Sequence, residues 1–162
     1  MEPYWLGQDE GEALWMFDVL DTIKASADQT GNSFTLVETI NSRGTGPPLH
    51  VHDRFDRGLY VVEGEYTVVV GDKSIRARAG TWIFVPRSVP HTWRCDSSEG
   101  RILALLVPGG SDGFFRGVGE PVTDRSQLPP GRVPDVERLS NVAAQYGMRF
   151  VGPPLGSAEP AD

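Results

Sequence analysis

Apolar and polar residues alternate with a period of two along most of the chain. In the segment 33–40, one face carries three apolar side chains together with Glu38, and the opposite face carries Val37 between two threonines. This period is typical of a β-strand. Similar runs predict further strands, which lie at residues 13–20, 22–25, 59–62, 65–70, 74–79, 81–85, 91–95 and 102–107. Turns separate these runs, so the pattern indicates an antiparallel β-sandwich or β-barrel.

The period changes after Pro108. Residues 113–119 predict a short helix whose two phenylalanines, Phe114 and Phe115, cover one end of the barrel, either as a lid or as a fixed plug. Residues 120–134 form a proline-rich crossing segment, and Asp135 is the predicted N-cap of a helix that ends near Tyr146. The apolar face of that helix carries Val136, Leu139, Ala143 and Tyr146. Before the barrel, residues 27–32 have the composition of a turn, and Asp21 separates the first two strands.

The length of 162 residues suits one domain. We expect an N-terminal arm with edge strands at 1–32, the barrel core at 33–108, a lid, crossing segment and C-terminal helix at 109–151, and a disordered tail at 152–162. The predicted architecture is therefore all-β, with a short helix near the C-terminus.

Charge and composition exclude several classes of partner. A net charge of −7 argues against nonspecific binding to nucleic acid and against docking on anionic membranes. The single cysteine, Cys95, favours a reducing compartment. Acidic residues precede the first apolar residues, unlike a signal peptide, and no apolar run reaches the length of a membrane span. We expect a cytoplasmic protein that binds neither nucleic acid nor membrane.

The three histidines are the main candidates for chemistry. His50 and His52 are two residues apart, so a strand would point both side chains to one face, and His91 lies in a second turn-and-strand segment. Three neutral imidazoles suit one divalent transition metal, which could be Fe, Ni, Zn, Cu or Mn. The alternative is that the histidines are packed and hydrogen-bonded without a metal.

The segments around these histidines resemble the two motifs of the cupin superfamily. The first motif has a glycine, a His-x-His pair, a glutamate and a closing glycine, and this chain matches it with Gly44, His50, His52 and Gly64. The second motif is matched by Gly80, Pro86 and His91, while Ser88 and Cys95 replace its glycine and asparagine. The chain is most similar to small single-domain cupins described as quercetin-dioxygenase-like. The resemblance implies an antiparallel, jelly-roll-like β-barrel, a metal held by the histidines, a small-molecule substrate and a homodimer.

Position 57 departs from the motif, because Arg57 stands where the family has its glutamate. A guanidinium has no lone pair to give to a metal. Arg57 could bind a substrate carboxylate or phenolate beside the metal, could repel the metal, or could turn outward and pair with Asp53, Asp56 or Glu65. Asp56 could replace the missing carboxylate only if a β-bulge turned it inward.

Strand alternation also predicts the walls of a pocket. Leu59 and Val61 share the face of Arg57, and Trp93 shares the face of His91. We therefore predict that Arg57, Trp93, Leu59 and Val61 bind the substrate and that Arg57 has the catalytic role. The alternative for Trp93 is a plain core position.

These features favour a mononuclear-metal cupin enzyme that acts on a small aromatic or enol-bearing molecule in a dioxygenase-type reaction. Two alternatives stay open. One is a redox-neutral, metal-dependent cyclase or isomerase. The other is a cupin that binds a small ligand without turning it over, which the replacement of the glutamate by Arg57 keeps in consideration.

Overall fold

The structure, a computed structural model, describes residues 2–125, 129 and 135–156. These residues form two antiparallel sheets with three helices. The strands are β1 (Glu12–Met16), β2 (Val19–Ala25), β3 (Thr35–Ser42), β4 (Pro48–His52), β5 (Asp56–Glu63), β6 (Glu65–Val70), β7 (Lys73–Arg78), β8 (Trp82–Val85), β9 (His91–Cys95), β10 (Glu99–Val107), β11 (Glu120–Pro121) and β12 (Met148–Pro154). The helices are α1 (Ala27–Thr30), α2 (Asp112–Val118) and α3 (Val136–Gln145).

The two sheets have seven and five strands. The larger sheet has the order β11-β1-β2-β3-β10-β5-β8, and the smaller has the order β12-β4-β9-β6-β7. Within the described residues, no strand pairing joins one sheet to the other, so the barrel consists of two sheets that strand pairing does not close. The predicted all-β, jelly-roll-like fold with a helix near the C-terminus is confirmed.

Two apolar clusters hold the sheets together. One lies between β5, β8 and β10 of the larger sheet and β6, β7 and β9 of the smaller sheet, and it includes Leu59, Val61 and Trp93. The other lies towards one end of the barrel, where Phe114 and Phe115 of α2 and Leu139 of α3 pack against the first strands. The two phenylalanines therefore cover an end of the barrel, as the sequence predicts.

The N-terminal elements differ from the prediction in two places. The break between the first two strands falls at Phe17 and Asp18, and Phe17 has a φ of 62° in the left-handed region. Asp21, predicted to interrupt the strands, is instead a buried residue inside β2. The predicted turn at 27–32 contains the one-turn helix α1, because Ser26 caps the helix at its start.

The C-terminal elements follow the prediction with two corrections. Asp135 accepts a hydrogen bond from the backbone of Arg138 and starts α3 as expected, but Val136 is 68% exposed and does not belong to the buried face. The predicted tail at 152–162 begins too early, since β12 continues to Pro154 and pairs with β4. Part of the crossing segment (126–128 and 130–134) and the tail at 157–162 lie outside the described residues.

Among the described residues, every helix is too short or too polar to cross a membrane.

Candidate functional site

The three histidines meet on the inner face of the five-stranded sheet. His50 of β4 is directly paired with His91 of β9, and His52 follows two residues later on the same face of β4. The ring centroids of His50 and His91 are 4.3 Å apart. One nitrogen from each ring can be chosen so that the three atoms lie within 4.8 Å of one another, and all three side chains are buried. The three histidines that the sequence singles out therefore lie together, on two neighbouring strands of one sheet.

Backbone carbonyls fix two of the rings. The Nδ1–H of His50 donates to the carbonyl of Pro48 at 2.7 Å, and that of His91 donates to the carbonyl of Val89 at 3.0 Å. Each ring then keeps an Nε2 lone pair that is directed to the centre of the site. Nε2 of His52 is buried and has no hydrogen-bond partner within the described residues.

The histidines are neutral at physiological pH. Burial lowers the pKa of His91 to about 3, with a further contribution from the charge of Arg57. Burial also lowers the pKa of His50 and of His52 below the ordinary range, and neighbouring charges act in the same direction. Neutral imidazoles are the protonation state that a transition metal requires.

Arg57 points into the same centre. Its position on β5, between β8 and β10, turns its side chain inward, and it is only 5% exposed. The Nη1 atom lies 3.0 Å from Nε2 of His50 and 3.3 Å from Nε2 of His91. The guanidinium carbon lies 5.2 Å from the centre of the Trp93 ring, within cation–π range.

The guanidinium has no carboxylate partner at ion-pair distance in the described part of the chain. Burial lowers the pKa of Arg57 to about 9, and the more distant charge of Asp21 raises it again in part. Burial raises the pKa of Asp21 to about 7, although Asp21 accepts a hydrogen bond from the hydroxyl of Thr39 at 2.6 Å. Arg57 is therefore a buried cation that no anion of the described chain directly compensates.

The carboxylates near Arg57 in sequence lie outside the site. Asp56 accepts hydrogen bonds from Arg87, and Asp53 pairs with Arg149. The hypothesis that Arg57 turns outward to pair with Asp53, Asp56 or Glu65 is wrong, because strand alternation faces Arg57 inward. Asp56 does not approach the histidines, since β5 has no bulge at this position.

A cavity of about 140 Å³ opens beside the histidines. His50, Arg57 and Trp93 contribute to its inner wall, together with Asp21, Thr39 and Asn41. The remaining wall is mostly apolar and includes Phe114, Phe115, Leu139, Met148 and Phe150. The two phenylalanines of α2 thus line the cavity in addition to packing in the cluster at this end of the barrel.

Two of the predicted pocket residues are placed elsewhere. Leu59 and Val61 share the inward face of Arg57, but they are fully buried among Ile102, Ala104 and Trp93 and do not line the cavity. The polar wall was missed by sequence reasoning. The threonines and Asn41 on the inward face of β3 were a usable signal, since that face buries polar side chains while Leu36 and Ile40 stay half-exposed.

The histidines fit a metal ion in number, protonation state and backbone support, and the unpartnered Nε2 of His52 is a free donor atom. Arg57 limits this fit. A metal–nitrogen bond is about 2.0–2.1 Å long, so an ion among the three rings and Nη1 at its present position would overlap. A metal could bind only if the guanidinium withdrew towards the cavity.

Ser88 replaces the motif glycine at a strained position. Its φ is 65°, in the region that favours glycine, and its backbone N–H donates to the carbonyl of His52 at 2.6 Å. The left-handed turn is therefore kept without the glycine, and it supports the strand that carries two of the histidines.

Comparison with known proteins supports the same family. Residues 36–108 match the cupin domain. The chain is 31% identical over 119 residues to quercetin 2,3-dioxygenase of Bacillus subtilis, which covers 74% of this chain and 35% of that enzyme. The chain spans about a third of the length of the curated relatives it matches.

Two solved structures share the fold at low sequence identity. KdgF from Halomonas sp. superposes with a TM-score of 0.62 and 20% identity, over 68% of this chain and 98% of KdgF. A nucleoside dehydratase from Streptomyces gives a TM-score of 0.57 and 18% identity, over 75% of this chain and 92% of the dehydratase. Residues 36–108 form a cupin domain, and the chain is similar in sequence to quercetin 2,3-dioxygenases.

Proposed function

We propose that this chain is a cupin enzyme that holds one divalent transition metal on His50, His52 and His91 and acts on a small molecule in the adjacent cavity. The observation that carries the proposal is the convergence of three buried, neutral imidazoles, two of them fixed by backbone carbonyls. Such support of the distal ring nitrogen is the usual arrangement behind metal-ligating histidines.

The reaction that we propose is of dioxygenase type, with dioxygen as the oxidant and both of its oxygen atoms entering the product. The sequence similarity to quercetin 2,3-dioxygenase supports this assignment. When bound, a redox-active metal supplies the one-electron chemistry that dioxygen requires. The chain's own residues would bind and orient the substrate, because Arg57 and Trp93 form the polar and aromatic parts of the wall beside His50.

The same wall supports catalysis in a second way. Phe114 and Phe115 are 8% exposed and form part of the apolar wall of the cavity, which would reduce the contact of a bound ligand with water. Electrostatic interactions between Arg57 and a substrate anion are stronger in such a place than in water. Arg57 is therefore the candidate catalytic residue, since it could stabilise negative charge on the substrate.

Metal content is the test. After purification without chelators, we expect close to one first-row transition metal per chain by elemental analysis. His50→Ala and His91→Ala should each lose most of it, because two neutral ligands hold a metal poorly at neutral pH. A chain that stays free of metal after incubation with Fe, Ni, Zn, Cu and Mn salts would overturn the proposal.

A second function is favoured by one observation, the position of Arg57. Its Nη1 atom occupies the centre of the histidines, and a cation in that place competes with a metal. In this alternative the chain is a cupin that binds a small ligand without turnover. Ligand binding that is unaffected by chelators, in a chain that takes up no metal, would support the alternative against the enzyme.

A further inference from the structure

We propose that the cavity recognises a small molecule with one aromatic ring and one carboxylate, and that the carboxylate pairs with the guanidinium of Arg57. The inference rests on the proposed function in one respect, that the ligand of this cavity is the substrate. It concerns the class of ligand, and it applies to the chain with or without a metal.

The first observation is that no carboxylate contacts the guanidinium of Arg57, and that Asp21 on the cavity wall acts on its charge only from a distance. The side chain is 5% exposed, and it makes no ion pair with the described residues. Removing a cation from water is costly unless an anion or several acceptors compensate it. Two imidazole nitrogens and a Trp93 ring are weak compensation for a full charge. An anionic ligand would complete the site.

The second observation is the set of N–H groups that Arg57 leaves unused. A guanidinium has five N–H donors, and Nη1 donates to His50 and to His91. Nε is buried without a partner, and the structure shows no hydrogen bond from Nη2 to a described residue. The edge formed by Nε and Nη2 carries two parallel N–H groups, which match the two oxygens of a carboxylate. A phenolate, with one oxygen, would use this edge less fully.

The third observation is the size and lining of the cavity. A volume of about 140 Å³ is close to that of a cavity of about 150 Å³ that accepts a benzene-sized molecule. Most of the wall is apolar, with Phe114, Phe115 and Phe150 among its aromatic residues. A single ring fits this space, and its apolar face matches the wall. A fused or biaryl ligand would require the two phenylalanines of α2 to move.

Nη1 is bound to the histidines in the present geometry, so the carboxylate would take the opposite edge of the guanidinium. A metal on the three histidines would require Nη1 to move, and the edge formed by Nε and Nη2 would still be available to a ligand carboxylate.

The test uses the full chain, freed of metal with a chelator, and isothermal titration calorimetry with simple probes. We expect benzoate to bind one molecule per chain. Benzamide, a neutral molecule of the same shape, should bind at least about 30-fold more weakly, as expected when a buried charge loses its partner. Acetate and 2-naphthoate should also bind more weakly, since the first lacks the ring and the second exceeds the cavity.

Arg57→Met tests the residue itself, and Arg87→Met is the matched control. Arg87 is an exposed arginine paired with Asp56 outside the cavity, so its loss should leave benzoate affinity unchanged. Arg57→Met should weaken benzoate by at least about 30-fold and bring it close to benzamide. If that variant does not fold, Arg57→Lys keeps the charge without the fork and should weaken benzoate less, and the benzoate–benzamide comparison on the native chain needs no variant.

Equal binding of benzoate and benzamide, tighter binding of 2-naphthoate than of benzoate, or no binding of benzoate at all would overturn the inference. Because the experiment is done without metal, its result is separable from that of the metal analysis. If the chain takes up no metal but binds benzoate through Arg57, the enzyme proposal is wrong and the proposed class of ligand is supported. If the chain binds metal but not benzoate, the proposed class of ligand is wrong and the metal site is supported.

Discussion

The Nη1 atom of Arg57 lies 3.0 Å from Nε2 of His50, the ring nitrogen that would otherwise face a metal ion. The same atom is 3.3 Å from Nε2 of His91. The guanidinium thus satisfies two lone pairs that have no other acceptor role in the described chain. A metal ion bound by the histidines would therefore compete with Arg57 for the same two nitrogens.

Replacing Arg57 by glutamate should strengthen metal binding. The change removes a cation and adds an anionic oxygen ligand at the position that carries the carboxylate in the cupin motif. Two unit charges that are about 4 Å apart interact by about 4 kcal/mol at an effective dielectric constant of about 20. Because the variant replaces repulsion of the metal by attraction, its metal affinity should rise by at least about tenfold. Competition titration with a chromogenic chelator measures it.

The same variant should lose affinity for a small carboxylate by roughly 2–5 kcal/mol, because the buried charge pair loses its cationic member. Arg87→Glu is the control, since it makes the same change of charge at the surface. An Arg57→Glu chain with unaltered metal and carboxylate affinities would place Arg57 outside the functional site.

The buried carboxyl of Asp21 should make stability fall as the pH rises. Burial raises its pKa from 3.8 to about 7, so the folded chain holds a proton that the unfolded chain releases at a lower pH. The stabilisation is full below pH 3.8, is lost as the pH rises to about 7, and does not change further above that value. The slope is at most about 1.4 kcal/mol per pH unit.

Asp21→Asn removes this titration and keeps a polar group beside Thr39. Both unfolding free energies are measured by urea denaturation from about pH 5 to about pH 8 in the absence of metal. The value of the native chain should fall relative to that of the variant as the pH rises. Referring each value to the variant cancels the contributions of the histidines. Ser74→Ala, at an exposed position of β7 without a titratable group, should run parallel to the native chain. A constant difference between the native chain and Asp21→Asn contradicts the assignment.

Ser88→Gly should stabilise the chain. Ser88 has a φ of 65°, its side chain is exposed, and it carries no side-chain hydrogen bond in the structure. Relief of the left-handed strain should outweigh the added entropy of an unfolded glycine, for a net gain of about 0.5–1 kcal/mol in unfolding free energy. Chemical denaturation measures the change. Ser74→Gly, in the exposed strand β7, should instead lower stability, and a loss of stability in Ser88→Gly would argue against the strain.

The chain should be a homodimer through the outer face of β8. Trp82 is 54% exposed, Phe84 is 58% exposed, and Tyr60 beside them is 42% exposed. Strand β8 ends the seven-stranded sheet and pairs only with β5 among the described strands, so its outer edge can pair with a second copy. A large apolar patch at a sheet edge is a common interface.

Phe84→Lys should convert the dimer to a monomer in light scattering at micromolar concentration. Val151→Lys, at an exposed position of β12 at the far edge of the other sheet, should leave the dimer intact. A native chain that is monomeric throughout this range would rule out the interface.

The sequence alone predicted most of the strands from β3 to β10, the start of α3 at Asp135 and the shared face of His50 and His52. These depend on local geometry, because a strand alternates its faces with a period of two and a helix start needs a capping side chain. Counting back from Gly64 placed Arg57 at the carboxylate position of the motif, but the sequence left open whether its side chain turns inward or outward.

Only the tertiary structure decided which inward residues meet which. Leu59, Val61 and Arg57 share one face of β5, yet the first two pack against β10 and Trp93 while Arg57 reaches the histidines of the opposite sheet. Asp21 is far from Arg57 in sequence, and its place on the cavity wall depends on the pairing of β2 with β3. The alternation of side chains along a strand determines which face of the sheet a residue is on. Which element covers that face depends on how the two sheets and the helices α2 and α3 pack. That packing is a property of the whole chain, and it decided that a cation lies among the histidines.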